Sequence, residues 1–340
     1  MNTLVVSTGV SLQAKLSALR NPALYPDPTT QVESMETHCA WVFLTDHYVY
    51  KLKKPMRLGQ MDNLLLSARH RNCREEIRLN RRLAPDVYLD VVPLIEHAGQ
   101  LSLDGAGTPV DWLVKMRRLP SDLSLDRKIA SGQVSCLAIS RVSDVLTAFY
   151  RRQPPARLSA EDHLQRMQRQ VAMNGLALLD HDLGLPRDLV ASAVDQQEKF
   201  LRSAPQLLAA RAQQGRIIEA HGDLKPEHVF LAEPPCIIDC LEFDRELRLL
   251  DPFEELAYLA LECERMGAGW IGQQMIDEYA ARSGERVEAA LLEFYVRRRA
   301  SERALSAAWH LRDPAVRERK DWRARAIGYL GQSQRLATRT

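Results

Sequence analysis

The chain has 340 residues, 46% hydrophobic and 26% charged, with 46 Lys plus Arg against 44 Asp plus Glu and a net charge of +2. That length and composition suit a globular protein of two lobes, each with its own core. The near balance of charge leaves no footprint for nucleic acid or an anionic membrane surface. Charges interrupt every apolar run before it reaches membrane-spanning length.

The N-terminus, MNTLVVSTGV, has no basic region and only a short apolar run, so it does not read as a signal peptide. Cys39, Cys73, Cys136, Cys236, Cys240 and Cys263 show neither C-x-x-C pairing nor a His/Cys zinc pattern, which points to reduced thiols in the cytoplasm. Cys236 and Cys240 share a parity on a predicted strand and read as packing residues. SLQAKLSALR from Ser11 predicts a short helix, and the Pro-rich NPALYPDPTT comes next. HCAWVFLTDHYVYKLKK from His38 alternates apolar and polar residues about Thr45-Asp46-His47, which predicts a hairpin. A helix is expected over 67–83, ending before Pro85, with Cys73, Glu76, Asn80 and Leu83 on one face. Residues 87–120 read as three short strands with a Gly-rich turn at Asp104-Gly105. Together these elements make a small α+β lobe.

From Ser121 the pattern turns helical, with helices expected over 136–151, 159–180, 187–213, 252–266, 269–283, 286–311 and 314–337. The run Arg297-Arg298-Arg299, with Arg303, reads as a solvated helix face. A strand–loop–strand unit at 216–243 interrupts the helices and carries the chemistry. HGDLKPEHVF at 221–230 puts His221, Asp223, Lys225 and His228 on a loop, and the apolar CIIDC at 236–240 delivers Asp239. Two carboxylates, one from a loop and one from a strand end, suit phosphoryl transfer. One orients or deprotonates a hydroxyl, and the other holds a metal on nucleotide phosphates. Each fragment alone is a common turn or strand end; the combination points to a kinase.

HGDLKPEHVF resembles the catalytic loop of the aminoglycoside phosphotransferase family and its choline and homoserine kinase relatives. THCAWVFLTDHYVYKLKKP, CREEIRLNRRLAP, VDWLVKMRRLP and IIDCLEFDRELRLLDPFEELAYLALE extend the resemblance over roughly residues 33–265. They are similar to a bacterial subgroup in which some members carry an additional P-loop ATPase domain. The chain has no GxxxxGK[ST], so that domain is not expected here. The resemblance implies an α+β, bilobal protein-kinase-like fold. A small β-rich N-lobe is expected over 1–115, an interlobe hinge over 116–120, and a large, mostly helical C-lobe with the catalytic loop over 121–340. The implied reaction is ATP-dependent transfer of the γ-phosphoryl group to a hydroxyl of a small molecule, with Mg2+ or Mn2+. The implied partners are ATP and an acceptor the sequence does not name, with no nucleic acid and no membrane.

Residue by residue, the resemblance implies that Asp223 is the catalytic base or hydroxyl-orienting carboxylate, that His221 braces its loop and that Lys225 belongs to the same catalytic group. Asp239 is the implied metal ligand. Lys51, in VYK, is expected to grip the nucleotide phosphates, and Glu76 to pair with it. Lys115, Met116 and Arg118 fall at the hinge, beside adenine. The helix face favours Glu76 over Glu75, whereas Lys53 shares the parity of Lys51 and competes for its role. Asp251-Pro252-Phe253-Glu254 is a helix start with an N-cap, Pro at N1 and Glu at N3. In the family an acid here also props the catalytic loop, and Glu255 sits where relatives often have Asp.

Two departures stand out. Thr37-His38-Cys39-Ala40 occupies the place of a phosphate-covering glycine loop, and His228 replaces a metal-binding Asn. His228 either swings away from the metal, ligates it and favours Mn2+, or only hydrogen-bonds the loop. These departures support a rival reading, a nucleotide-binding pseudokinase with a sensor or scaffold role. The short segment from Asp239 to Pro252, with no A-P-E-like ending, argues for a small-molecule rather than a protein substrate. Glu242, Asp244, Glu254, Glu262 and Glu264 near the expected cleft suggest a cationic acceptor, although Glu262 and Glu264 read as solvated helix surface.

Overall fold

The computed structural model describes residues 9–58, 61–312 and 321–335. The chain divides into two compact units, residues 1–127 with 228–247 and residues 128–227 with 248–340. The strand unit expected inside the second lobe is therefore shared, its middle packing with the first unit.

The first unit begins with α1 (Leu12–Leu19), whose first turn is capped by Ser11 Oγ accepting the Ala14 amide at 3.1 Å. Next in the chain are β1 (Glu33–Glu36), β2 (Ala40–Leu44), β3 (Tyr48–Lys53), the small hairpin β4 (Arg57–Leu58) and β5 (Met61–Asp62), α2 (Leu66–Asn80), β6 (Tyr88–His97), β7 (Gln100–Ser102) and β8 (Thr108–Arg117). Six of these strands form an antiparallel sheet in the order β1-β2-β3-β8-β6-β7. The expected hairpin is β2–β3, with Leu44 opposite Val49.

The two-residue period of β3 sorts its side chains between two faces of the sheet. Tyr50 and Leu52 point to one face and pack with Leu16, Leu19, Phe43 and Leu113. The odd positions face the other way: Val49 packs with Cys73 and Ile77 of α2, and Lys51 and Lys53 reach the Glu76 of that helix. Each fully buried Leu or Phe contributes about 1.5–3 kcal/mol to holding these layers together. Lys15 of α1 and Arg69 of α2 both pair with the buried Asp111 of β8, at 2.9 and 2.7 Å, and fasten both helices to that strand.

The second unit is mostly helical, and α3 (Leu125–Ala130) leads into it. It contains α4 (Cys136–Arg152), α5 (Ala160–Leu178), α6 (Arg187–Ser203) and α7 (Pro205–Gln213). The single helix expected over 187–213 is two helices, because Pro205 has no amide to continue α6 and instead starts α7 at its first position. Four short strands come next: β9 (Ile218–Glu219), β10 (Val229–Phe230), β11 (Cys236–Ile237) and β12 (Leu249–Leu250). In the first unit β10 pairs with β11, and in the second β9 pairs with β12. The strand expected over 236–240 is thus short, and Cys240 lies beyond it.

The remaining helices are α8 (Pro252–Arg265), α9 (Gly269–Ser283), α10 (Ala289–Trp309) and α11 (Trp322–Arg335). The expected helix over 314–337 is α11, and its first residues, through 320, lie outside the described residues. Leu178 of α5, Val190 of α6, Leu261 of α8, Ala300 and Ala304 of α10 and Tyr329 of α11 share one core.

The arginine run is not a solvated face. Arg297, Arg298, Arg299 and Glu262 are all buried. Helix α8 carries complementary charges, Glu254 for Arg298 and Glu262 for Arg303 at 2.7 Å, while Arg299 pairs along its own helix with Glu302 at 3.1 Å and lies 3.3 Å from Glu254. Buried charges persist only when so paired.

Candidate active site

In the first unit, three distant segments converge on Lys51. Its ammonium lies 2.9 Å from Glu76 Oε1 and 3.0 Å from Asp239 Oδ1. Burial alone would lower the Lys51 pKa, but Asp239 and Glu76 outweigh it and hold the group charged. Glu76 is shared. Lys53 Nζ sits 2.5 Å from its other oxygen and also pairs with Glu242. Glu75 instead faces outward to Arg78.

Asp239 has φ +59, in the left-handed region that costs most residues about 1–2 kcal/mol and that Asp tolerates better than most. Two side chains hold this turn. The Asp239 amide donates to Tyr88 Oη at 3.0 Å, and the next amide, of Cys240, donates to Asn80 Oδ1 at 2.8 Å. The result presents the Asp239 carboxylate with its side chain 47% exposed. His228 Nε2 stands 3.3 Å from Asp239 Oδ2.

In the second unit, the loop after β9 is built on one buried acid of α8. Glu255 accepts the Gly222 amide at 2.6 Å, the His221 amide at 3.2 Å and the Tyr150 hydroxyl at 2.9 Å. Gly222 has φ +87, where a residue with a Cβ would be strained. Buried His221 accepts the Asp223 amide on Nδ1 at 3.3 Å, which braces the loop from within. The Asp223 carboxylate is held at both oxygens. Tyr258 donates to Oδ1 at 3.0 Å, and Lys225 Nζ lies 3.2 Å from Oδ2. Burial, then the Asp223 charge, hold the Tyr258 phenol far above its usual range, so it stays a donor.

Comparison with known proteins decides the fold. No protein-family model matches the chain. An uncharacterized protein of Mycobacterium tuberculosis is 31% identical over 276 residues, which cover 80% of this chain and 54% of the relative, and a Mycobacterium bovis protein matches to the same extent. The chain therefore spans about half the length of these curated relatives. Among solved structures, a choline kinase from Cryptosporidium parvum superposes with a TM-score of 0.57 at 10% identity, covering 96% of this chain and 94% of its own. A choline/ethanolamine kinase family protein from Mesorhizobium loti gives 0.54 at 16%, covering 95% and 94%. A thermostable mutant of aminoglycoside phosphotransferase APH(4)-Ia, in ternary complex with AMP-PNP and hygromycin B, gives 0.51 at 13%, covering 92% and 96%. This chain has the kinase-like fold of choline kinase and the aminoglycoside phosphotransferases.

Within this kinase-like fold, the first residues expected at the hinge prove to be strand residues. Lys115 and Met116 are not connector residues; they lie inside β8, opposite Tyr50 and Val49 of β3. Lys115 stands on the face of Tyr50, opposite to that of Lys51. Its ammonium pairs with Asp27 at 2.8 Å and lies 4.0 Å from the Tyr48 ring. Arg118 comes just after the strand, but its amide donates to His47 O at 2.9 Å and its guanidinium binds Thr45 O and Glu33. Lys115 and Arg118 thus spend side chain or amide on the sheet, and Met116 pairs within it opposite Val49. Thr37 closes the β1–β2 turn, its hydroxyl accepting the Ala40 amide at 3.1 Å.

Asp251 caps α8 through Phe253 N at 3.0 Å and spends its carboxylate on Arg211 and Tyr295. The acid that props the loop at His221-Gly222 is Glu255. The acids expected to attract a cationic acceptor are largely committed too: Glu242 to Lys53, Glu254 to Arg298 and Glu262 to Arg303.

Sequence reasoning missed Tyr258; it weighed Lys53 as a competitor of Lys51 and Glu242 as a cleft acid, but not their pairing with each other. Tyr258 sits on α8 three residues after Glu255, so one helix face carries both supports of the loop, a pairing visible in the spacing once Glu255 is assigned.

For a divalent cation, the donors on the first unit are a half-exposed carboxylate and an imidazole nitrogen beside it. Asp239 suits Mg2+ or Mn2+, whereas a nitrogen donor suits Mn2+ better. The residues fit such an ion.

Proposed function

We propose that this chain is a member of the choline kinase and aminoglycoside phosphotransferase family that transfers the γ-phosphoryl group of ATP to a hydroxyl of a small molecule, in the cytoplasm. The observation that carries this reading is the convergence of Lys51, Glu76 and Asp239, the lysine and the aspartate being 188 positions apart in the chain. Strand lysine, helix glutamate and left-handed aspartate together make a phosphate and cation station. AMP-PNP in the APH(4)-Ia complex is a nucleotide of the same class.

In this mechanism Lys51 binds the α- and β-phosphates, and Glu76 keeps it oriented. Asp239, with His228 beside it, would hold the divalent cation, whose charge offsets that of the phosphates. Asp223 accepts a hydrogen bond from the acceptor hydroxyl and takes its proton as the new O–P bond forms. The bond between Pγ and the bridging oxygen breaks, and ADP leaves. Tyr258 and Lys225 keep the Asp223 carboxylate aimed before that step. From Asp239 the chain reaches the Asp251 cap of α8 through residues 240–250, a 3-10 turn and β12, which suits a small acceptor rather than a peptide.

The test is ADP release by the purified chain with Mg2+ or Mn2+ over a panel of amino alcohols, sugars and amino sugars. Acceptor-dependent turnover that Asp223→Asn removes supports the reading. Neither turnover nor nucleotide binding would sink it. One observation favours a pseudokinase instead: His228 and Lys51 already occupy both oxygens of Asp239. Nucleotide binding with equal ATP turnover in wild type and Asp223→Asn would establish that role.

A further inference from the structure

Lys53 is a lysine almost without water, its side chain 1% exposed, and both of its partners are acids from other segments. Glu76, on α2, has no exposed side-chain surface, and Glu242, three residues beyond Asp239, has 12%. Both carboxylates share this one ammonium. Strand β3, helix α2 and the loop after Asp239 therefore meet at one buried ammonium. No step of the proposed reaction uses Lys53 or Glu242, and a buried charge without a purpose is costly.

We propose that Lys53 and Glu242 are positioning residues that lock α2 and the Asp239 loop onto β3, so that Glu76 stays in place when Lys51 leaves Asp239 for the nucleotide phosphates. The inference rests on the phosphotransferase reading for its purpose, but the lock itself is a property of the free chain. Lys51 has two carboxylate partners and must give one up to take phosphate. Glu76 then keeps an independent partner in Lys53. The loop keeps an anchor at Glu242 that is not the metal carboxylate itself. Burial, the Glu76 charge and then the opposing lysines leave Glu242 with a raised pKa, so the lock includes a group that titrates near neutrality.

The test compares wild type with Glu242→Gln, which keeps shape and can still accept from Lys53, and with Lys53→Met and Lys53→Arg. Hydrogen exchange is measured on the full chain without nucleotide. Steady-state kinetics with Mn-ATP and a melting curve accompany it. Glu242→Gln should raise exchange in residues 66–80 and 238–244 by about tenfold while melting cooperatively. It should also lower kcat, or raise the metal concentration for half activity, by about tenfold or more. The kcat profile should lose its inflection near neutral pH, which a purely structural role would not move. Lys53→Arg should restore part of what Lys53→Met loses. Unchanged exchange in both segments of Glu242→Gln overturns the proposal whatever the kinetics do. If wild type binds no nucleotide, the kinase reading fails, and exchange alone decides whether the lock exists.

Discussion

The Lys51 ammonium lies 3.0 Å from Asp239 Oδ1, so the residue suited to grip phosphate is paired directly with the residue suited to hold the cation. Opposite charges that must later separate hold each other in place in the free chain. Lys51 can leave because Glu76, 2.9 Å away on its other side, is also paired with Lys53.

That arrangement ranks two substitutions. Lys51→Met removes the phosphate ligand but leaves Glu76 with Lys53. ATP binding or turnover should fall by about two orders of magnitude or more, with little change in unfolding free energy. Lys53→Met leaves Glu76 and Glu242 facing each other in a buried site, at a cost of about 3–5 kcal/mol. Denaturant melts and ATP titrations of both variants check the ranking. A larger stability loss for Lys51→Met would mean the two lysines have been assigned the wrong roles.

Tyr258→Phe should act on chemistry rather than on nucleotide binding. The lost O–H donates to Asp223 Oδ1 at 3.0 Å. Without it the carboxylate loses one of the two contacts that aim it at the acceptor hydroxyl. The kcat at neutral pH should fall by about tenfold, with the KM for ATP unchanged and a stability loss of about 1 kcal/mol. An unchanged kcat would mean Tyr258 does not orient Asp223.

Much of this was legible in the sequence, because it rests on local periodicity and short motifs. The alternation of YVYKLK placed Lys51 on a strand, and the helical face of α2 separated Glu76 from Glu75. HGD with an apolar segment after it located the loop. What local pattern could not give was partnership across the chain. Lys51 and Lys53 have the same parity, and only tertiary structure shows that both reach Glu76 and that they part at Asp239 and Glu242. The same holds for Arg298, whose charge suggested solvent until Glu254 from another helix was found beside it. Lys115 is the converse case. Its motif suggested a connector, but the chain is still pairing on both sides there, with Tyr50 and Asp90.

The Glu76–Glu242 pair predicts how stability varies with pH. Burial pushes Glu76 up, but Lys51 and Lys53 outweigh it and hold the carboxyl at about 2, below its ordinary 4.5. Its contribution is present above 4.5 and lost as pH falls through 2. Glu242 goes the other way, pushed up to about 7 by burial and by Glu76. A raised acid binds protons more tightly when folded, so stability falls as pH rises from 4.5 through 7. Wild type should therefore melt at a lower temperature at about pH 8 than at about pH 5 by more than Glu242→Gln does. An equal decline in both would place the titration on another group.

His228 gives the last prediction. Its Nε2 lies 3.3 Å from Asp239 Oδ2, so of the three arrangements open from the sequence, swinging away from Asp239 is not the one adopted in the free chain. The side chain is buried, and moving it aside for a cation would disturb the packing around β10 and β11. A cation approaching Asp239 therefore meets a nitrogen donor. Mn2+ accepts imidazole readily, whereas Mg2+ prefers oxygen in a near-ideal octahedron. Turnover should be several-fold higher with Mn2+ than with Mg2+ at matched free ATP, roughly the tenfold scale of a changed ligand environment. His228→Asn restores a hard oxygen and should raise the Mg2+-supported rate while narrowing the Mn2+ advantage. Electron paramagnetic resonance of the Mn2+ complex with nucleotide should show nitrogen coupling in wild type that the variant lacks. An unchanged metal preference in His228→Asn would mean the imidazole only braces Asp239. Loss of all activity would assign His228 a proton-transfer role of its own.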